Sequence, residues 1–225
     1  MTAHDAWITI TSTLDVPCLN PEASALLVVD LQRYCGARDA GTVRSALERG
    51  ERDAAEYYMQ TLCNSVLPNS AAMIAAFRAR SMPVIYTRIE ALTSDGRDRG
   101  REHKRRGILV PRGSVGAEIL EEVRPEGDDV VLSKTSTDGF ATTVLRHVLH
   151  AMNVRTLVLC GVVTQGCVLS TARSASSLGF DVIVLEDACT SWTQDMHRDA
   201  CRSMHDRFAT VMSTASVIDL LGSRG

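Results

Sequence analysis

Five short apolar runs set the rhythm of this chain. They are ALLVVD at 25–30, PVIYTR at 83–88, DVVLSK at 129–134, TLVLCG at 156–161 and DVIVLED at 181–187. Each is rich in Val, Ile and Leu and lacks the polar alternation of a strand with one wet face, so each predicts a strand buried on both sides. A weaker run, ATVMST at 209–214, predicts a sixth. Between the runs the apolar spacing changes to that of helices. Pro68–Arg80 carries Met73, Ile74 and Phe77 on one face, and Thr142–Met152 groups Val144, Leu145, Val148 and Leu149. Val115–Val123 follows Ser114 as an N-cap, and Cys167–Leu178 stops at Gly179, a usual helix terminator. Asp195–Phe208 and Ala215–Leu221 complete the helical set.

Strands alternating with helices imply right-handed crossovers, so the expected fold class is α/β. The sheet should be mostly parallel and six-stranded, in a three-layer α/β/α, Rossmann-like domain. The 225 residues suit one such domain over 1–225, with 1–23 as an N-terminal arm. Within that arm WITITST, at 7–13, alternates in a way that suits adding a strand or packing on a neighbour, so an oligomer is expected.

Two polar segments interrupt the rhythm. Gly36–Tyr58 reads as a loop with a helical piece. Thr93–Gly107 reads as a long connection carrying Arg97, Arg99, Arg101, His103, Lys104, Arg105 and Arg106. Those basic groups could steer an anionic substrate, reach a neighbouring subunit, or form a solvated loop balanced by Asp95, Asp98 and Glu102.

Composition narrows the function classes. A net charge of −3 speaks against a nucleic-acid partner, and no apolar stretch approaches the roughly 20 residues of a membrane span. The start of the chain has neither the basic nor the apolar region of a signal peptide. Seven scattered cysteines without a C-x-x-C pair suit reduced thiols and a cytoplasmic location better than disulfides or a zinc site. His197 and His205 share a predicted helix face without a third ligand, so no metal and no cofactor are expected.

In open parallel sheets ligands bind beyond the carboxyl ends of the strands. That rule gathers Asp30, Arg88, Glu90 and Lys134, together with the turn Gly161–Cys167, on one edge. A thiol at a helix start, an ammonium and a carboxylate make chemical sense together. The first two favour thiolate, and the carboxylate can take the thiol proton and return it to a leaving amine. Taken singly, each residue has a plainer role: Asp30 as a turn residue, Lys134 as a surface lysine, Cys167 as a buried thiol.

VVDLQ at 28–32, LSKTSTDGF at 132–140 and GVVTQGCV at 161–168 resemble, in order and spacing, the three motifs of the isochorismatase-like cysteine hydrolases. VLEDACTS at 184–191 agrees with them. That group includes nicotinamidases, N-carbamoylsarcosine amidases, biuret hydrolases and ureidoacrylate amidohydrolases. The resemblance implies Asp30 as base and then acid, Lys134 as electrostatic partner and Cys167 as nucleophile. It also implies a cis bond between Val162 and Val163, and an oxyanion hole from the N–H groups of Val163 and Cys167. The resemblance further implies a small amide, carbamoyl or ureido molecule as partner and a homodimer or homotetramer as the assembly.

Departures from the family pattern matter as well. YTRIEALTSDG at 86–96 lacks the D-x-H set of metal-dependent nicotinamidases and sits closer to the carbamoyl and ureido branches. Gln165 stands where Asp, Asn or Glu is common, and Asp138 where a small residue is. Arg88, with its planar fork, is a candidate substrate ligand or a partner for Glu90. Gln165, Phe140 and Tyr34 are further substrate-binding candidates, with Tyr86 beside them; ordinary packing is the alternative for each aromatic ring. Two other functions stay open: a vinyl-ether hydrolase of isochorismatase type, which needs no thiol, and a binding protein on the same fold.

Overall fold

The computed structural model describes Pro17, residues 19–205 and residues 207–222. The proposed N-terminal contact segment lies outside these residues. The six predicted strands form one sheet: β1 (Ser24–Val29), β2 (Val84–Ile89), β3 (Val130–Lys134), β4 (Thr156–Val162), β5 (Asp181–Thr190) and β6 (Thr210–Met212). Their order is β3-β2-β1-β4-β5-β6, and every pairing is parallel.

All of β1 and β4 is buried, as their unbroken apolar runs require. Side chains alternate across the sheet. Leu26 and Val28 join a core with Met73 and Phe77, whereas Ala25, Leu27 and Val29 join a second core with Leu145 and Ala172. Helices thus cover both faces. Among the described residues no helix is long and apolar enough to cross a membrane.

From β1 the chain builds outward through β2 and β3, then returns to the other side of β1 as β4. The two strands at this switch diverge beyond their carboxyl ends and leave a crevice there. Gly161 lets them approach: its φ is +123°, and a Cβ there would lie 2.0 Å from the Val29 carbonyl oxygen. Gly161→Ala is therefore expected to destabilise the fold by about 2 kcal/mol or more, read by urea denaturation.

The segment 36–58, read as a loop with one helical piece, is mostly helical, in the pieces Arg33–Gly36, Gly41–Glu48 and Arg52–Thr61. The last continues through a π-turn, Leu62–Val66, into the helix Leu67–Arg78. Val43, Ala46, Ala55 and Tyr58 are buried, so a sparse helical stripe suffices for docking. The helix expected over Val115–Val123 is two single 3-10 turns, Val115–Ala117 and Glu121–Val123. Between them Ile119 bridges Gln32, and Leu120 N–H donates to the Leu31 carbonyl at 2.9 Å, which pulls the chain straight. Within the basic connection, Arg101–Arg105 forms one short helix.

Candidate active site

Asp30 is the first residue beyond β1, held with φ at +54°, a backbone region that Asp tolerates better than most side chains. Its N–H donates to the Thr87 carbonyl at 2.9 Å, and Thr87 Oγ1 donates to its Oδ1 at 3.2 Å. Gln32, two residues on, behaves like a detached peptide group. Its Nε2 donates to the carbonyls of Ile89 (2.9 Å) and Gly116 (2.8 Å), while its Oε1 accepts from the Ile89 N–H at 2.5 Å. The rim around Asp30 is thereby tied to the end of β2.

Lys134 ends β3 and is fully buried. Its Nζ has three partners: Asp30 Oδ2 at 2.9 Å, the Ser136 carbonyl at 2.9 Å and Cys167 Sγ at 3.4 Å. Three contacts match the three protons of an ammonium, which is what permits its burial. Burial alone would lower its pKa, but Asp30 and Cys167 outweigh that and hold it above the ordinary lysine range.

Cys167 sits inside a π-turn, Thr164–Val168, from which the regular helix Leu169–Ser177 continues. The Val162–Val163 peptide leading into that turn is cis. Burial pushes the Cys167 thiol up to about 12, with the Lys134 charge pulling down and Asp30 pushing further up. At neutral pH the resting Cys167 is therefore a thiol, beside the Lys134–Asp30 ion pair.

These groups meet at a cavity of about 620 Å³, lined by Asp30, Val163 and Cys167. Tyr34, Tyr58 and Trp192 supply its aromatic wall, the last two stacked at 4.6 Å between ring centroids. Arg49 and Arg106 also line it, each paired to a carboxylate: Arg49 to Glu51 at 2.9 Å and Arg106 to Glu102 at 3.1 Å.

Of the residues singled out for substrate, Tyr34 alone lies on this cavity. Arg88 donates to Glu90 at 2.7 Å and to Ser133 Oγ at 3.2 Å, the arrangement offered as its alternative. Glu90 in turn accepts from the Gly113 N–H at 2.8 Å, so the cluster braces the loop. Phe140 packs on Phe180 with 5.9 Å between ring centroids, in the core beneath the sheet. Gln165 accepts from the Ser191 hydroxyl and ties the cysteine turn to the end of β5. Tyr86 is wholly buried, and its hydroxyl accepts from Arg78 at 3.2 Å. Asp138 accepts from Ser174 Oγ at 2.6 Å and from the Phe140 N–H at 2.9 Å, pinning its own turn.

Sequence reasoning passed over Cys35, Tyr58, Trp192 and the role of Gln32, and gave His103 only as part of a basic run. Gln32 carried a signal, since it stands in the VVDLQ motif. The others had none, because long-range packing alone brings them to the cavity. His197 donates to or accepts from Thr164 Oγ1 at 2.8 Å and lies 3.7 Å from Cys201 Sγ, whereas His205 falls just past its helix, Gln194–Met204. Among the described residues no cluster of three or more His, Cys, Asp or Glu side chains could hold a metal ion.

Comparison with known proteins places these residues in a wider context. A family model described as the isochorismatase domain matches residues 24–216. A ureidoacrylate amidohydrolase, RutB, of Cronobacter sakazakii is 30% identical over 197 residues, covering 80% of this chain and 80% of that one. The enzyme of the same name from Acinetobacter baylyi is 27% identical over 218 residues, covering 89% of this chain and 84% of its own length. Among solved structures, a cysteine hydrolase from Pseudomonas syringae superposes with a TM-score of 0.80 at 27% identity, covering 95% of this chain and 99% of that one. An N-carbamoylsarcosine amidase from Thermoplasma acidophilum gives 0.65 at 26% identity, covering 85% and 96%.

Proposed function

This chain belongs to the isochorismatase family of hydrolases, and from that premise we propose that it cleaves a C–N bond of a small amide, carbamoyl or ureido molecule. Cys167 is the nucleophile, and Asp30 is base and then acid. One observation carries the assignment: a single buried ammonium, Lys134 Nζ, touches both Asp30 Oδ2 at 2.9 Å and Cys167 Sγ at 3.4 Å.

Cys167 Sγ attacks the scissile carbonyl carbon while its proton passes to Asp30. Because the resting thiol is hard to ionise, attack and proton transfer go together rather than through a stored thiolate. The oxyanion that forms faces the backbone N–H groups of Val163 and Cys167. As the intermediate collapses, the C–N bond breaks, Asp30 gives its proton to the departing nitrogen, and a thioester remains. Asp30 then takes a proton from water, whose oxygen attacks the thioester. The acid, or carbamate from a ureido group, is released and Sγ recovers its proton.

Within that class an anionic ureido acid is the favoured substrate. The relatives at 27% and 30% identity are named for ureidoacrylate, and Arg49 and Arg106 place guanidinium donors on the cavity wall, each beside a carboxylate that an anionic substrate would have to displace or share. The test is ammonia release from a ureido acid, N-carbamoylsarcosine, biuret, nicotinamide and a maleamate-type amide. The ureido acid should be turned over fastest and nicotinamide slowest. Silence across the panel, together with a Cys167 that resists alkylation, would overturn the amidohydrolase assignment.

A further inference from the structure

The short helix Arg101–Arg105 does more than carry positive charge. It is docked on the segment that follows the catalytic lysine. The Gly100 N–H donates to the Thr135 carbonyl at 2.8 Å, and Thr137 Oγ1 donates to Glu102 Oε2 at 2.6 Å. Its middle residue, His103, is turned inward: it is 1% exposed, it lines the cavity that Cys167 lines, and its Nδ1 has no hydrogen-bond partner in the protein. The His103 carbonyl accepts from the Ile108 N–H at 2.9 Å, which fixes the turn and leaves the ring to the cavity. Buried polar atoms almost always have a partner, so an orphaned ring nitrogen in a side chain that lines the cavity calls for one.

We propose that His103 is a specificity-determining residue: a ring nitrogen accepts a hydrogen bond from the ureido N–H on the side of the scissile carbonyl away from the departing group. This rests on the amidohydrolase reading above. A ureido group carries nitrogen on both sides of its carbonyl, whereas a carboxamide has carbon on the second side. The imidazole thus tells the two apart without touching the bond that breaks. Its charge state agrees, since burial draws the His103 pKa down to about 4 and the nearby Lys134 ammonium acts in the same direction. A neutral ring keeps the lone pair that such an acceptor needs.

The experiment compares a ureido acid with its carboxamide analogue of equal length, in wild type, His103→Phe and His103→Asn. The readout is the ratio of the two kcat/KM values, with thermal midpoint as a folding control. Removing the acceptor should lower the ratio about 10- to 100-fold in the Phe variant, mostly through KM, with partial recovery in the Asn variant. In parallel, protection of Cys167 from iodoacetamide by each compound should show the same selective loss for the ureido acid. An unchanged ratio, or equal loss on both compounds, would overturn the role of His103 while leaving the amidohydrolase reading intact. A wild type that turns over neither compound and is protected by neither would overturn both.

Discussion

Changing Cys167 to alanine is expected to lower kcat/KM by a factor on the order of 10⁴ or more, with no loss of fold. The side chain is a small buried thiol whose removal leaves a methyl in a site already lined by a cavity, so packing suffers little. Chemistry loses everything that depends on a covalent intermediate. A second readout separates a reactive thiol from a passive one. Burial holds the Cys167 thiol near 12, so its alkylation should climb about tenfold per pH unit from neutral to about pH 10, without a plateau. Peptide mapping after iodoacetamide, with the exposed Cys63 as internal reference, would follow it. A plateau near neutral pH would mean that the resting enzyme stores thiolate, and the coupled proton transfer to Asp30 would be wrong.

Replacing Lys134 by methionine should cost about 3–5 kcal/mol of stability, the range expected when one partner of a buried ion pair is removed. Both Lys134 and Asp30 are fully buried, and the substitution strands the Asp30 carboxylate with only uncharged donors, Thr87 Oγ1 and the Cys167 thiol. Urea denaturation would measure the loss. The double variant Asp30→Asn with Lys134→Met removes both charges and should regain a large part of it, although neither variant should turn over substrate. If the single and double variants were equally unstable, volume rather than charge would explain the effect.

The strands and the cluster of Asp30, Lys134 and Cys167 at their ends were legible in the sequence for the same reason. A strand buried on both faces must be apolar throughout, so a charged residue at its end, such as Asp30 after β1 or Lys134 closing β3, stands out against the run. The π-turn at Thr164–Val168 was not legible, because it differs from an ordinary helix start by a shift in hydrogen bonding that composition does not record. Of the helices over 33–61 only one piece was expected, because their apolar stripe is thin and becomes meaningful only against the sheet. Substrate-binding side chains were the least legible. Arg88, Phe140 and Gln165 stand near the reacting residues in sequence or on the strand edge, yet nearer partners claim each of them: Glu90, Phe180 and Ser191. His103 shows the converse, a residue that looked like one of several surface charges and is neutral and inward.

The amide of Gln32 divides the crevice into a chassis and a body. By bonding to Ile89 twice and to Gly116 once, it locks the ends of β1 and β2 to each other, and with them the seat of Asp30. The intervening stretch from about 92 to 112, with the short helix that carries His103 and with Arg106 just past it, is hung from this frame instead of supporting it. Changes there can reshape the cavity while Asp30 keeps its place, so one frame of strand ends can be refitted for new molecules by altering its coachwork alone.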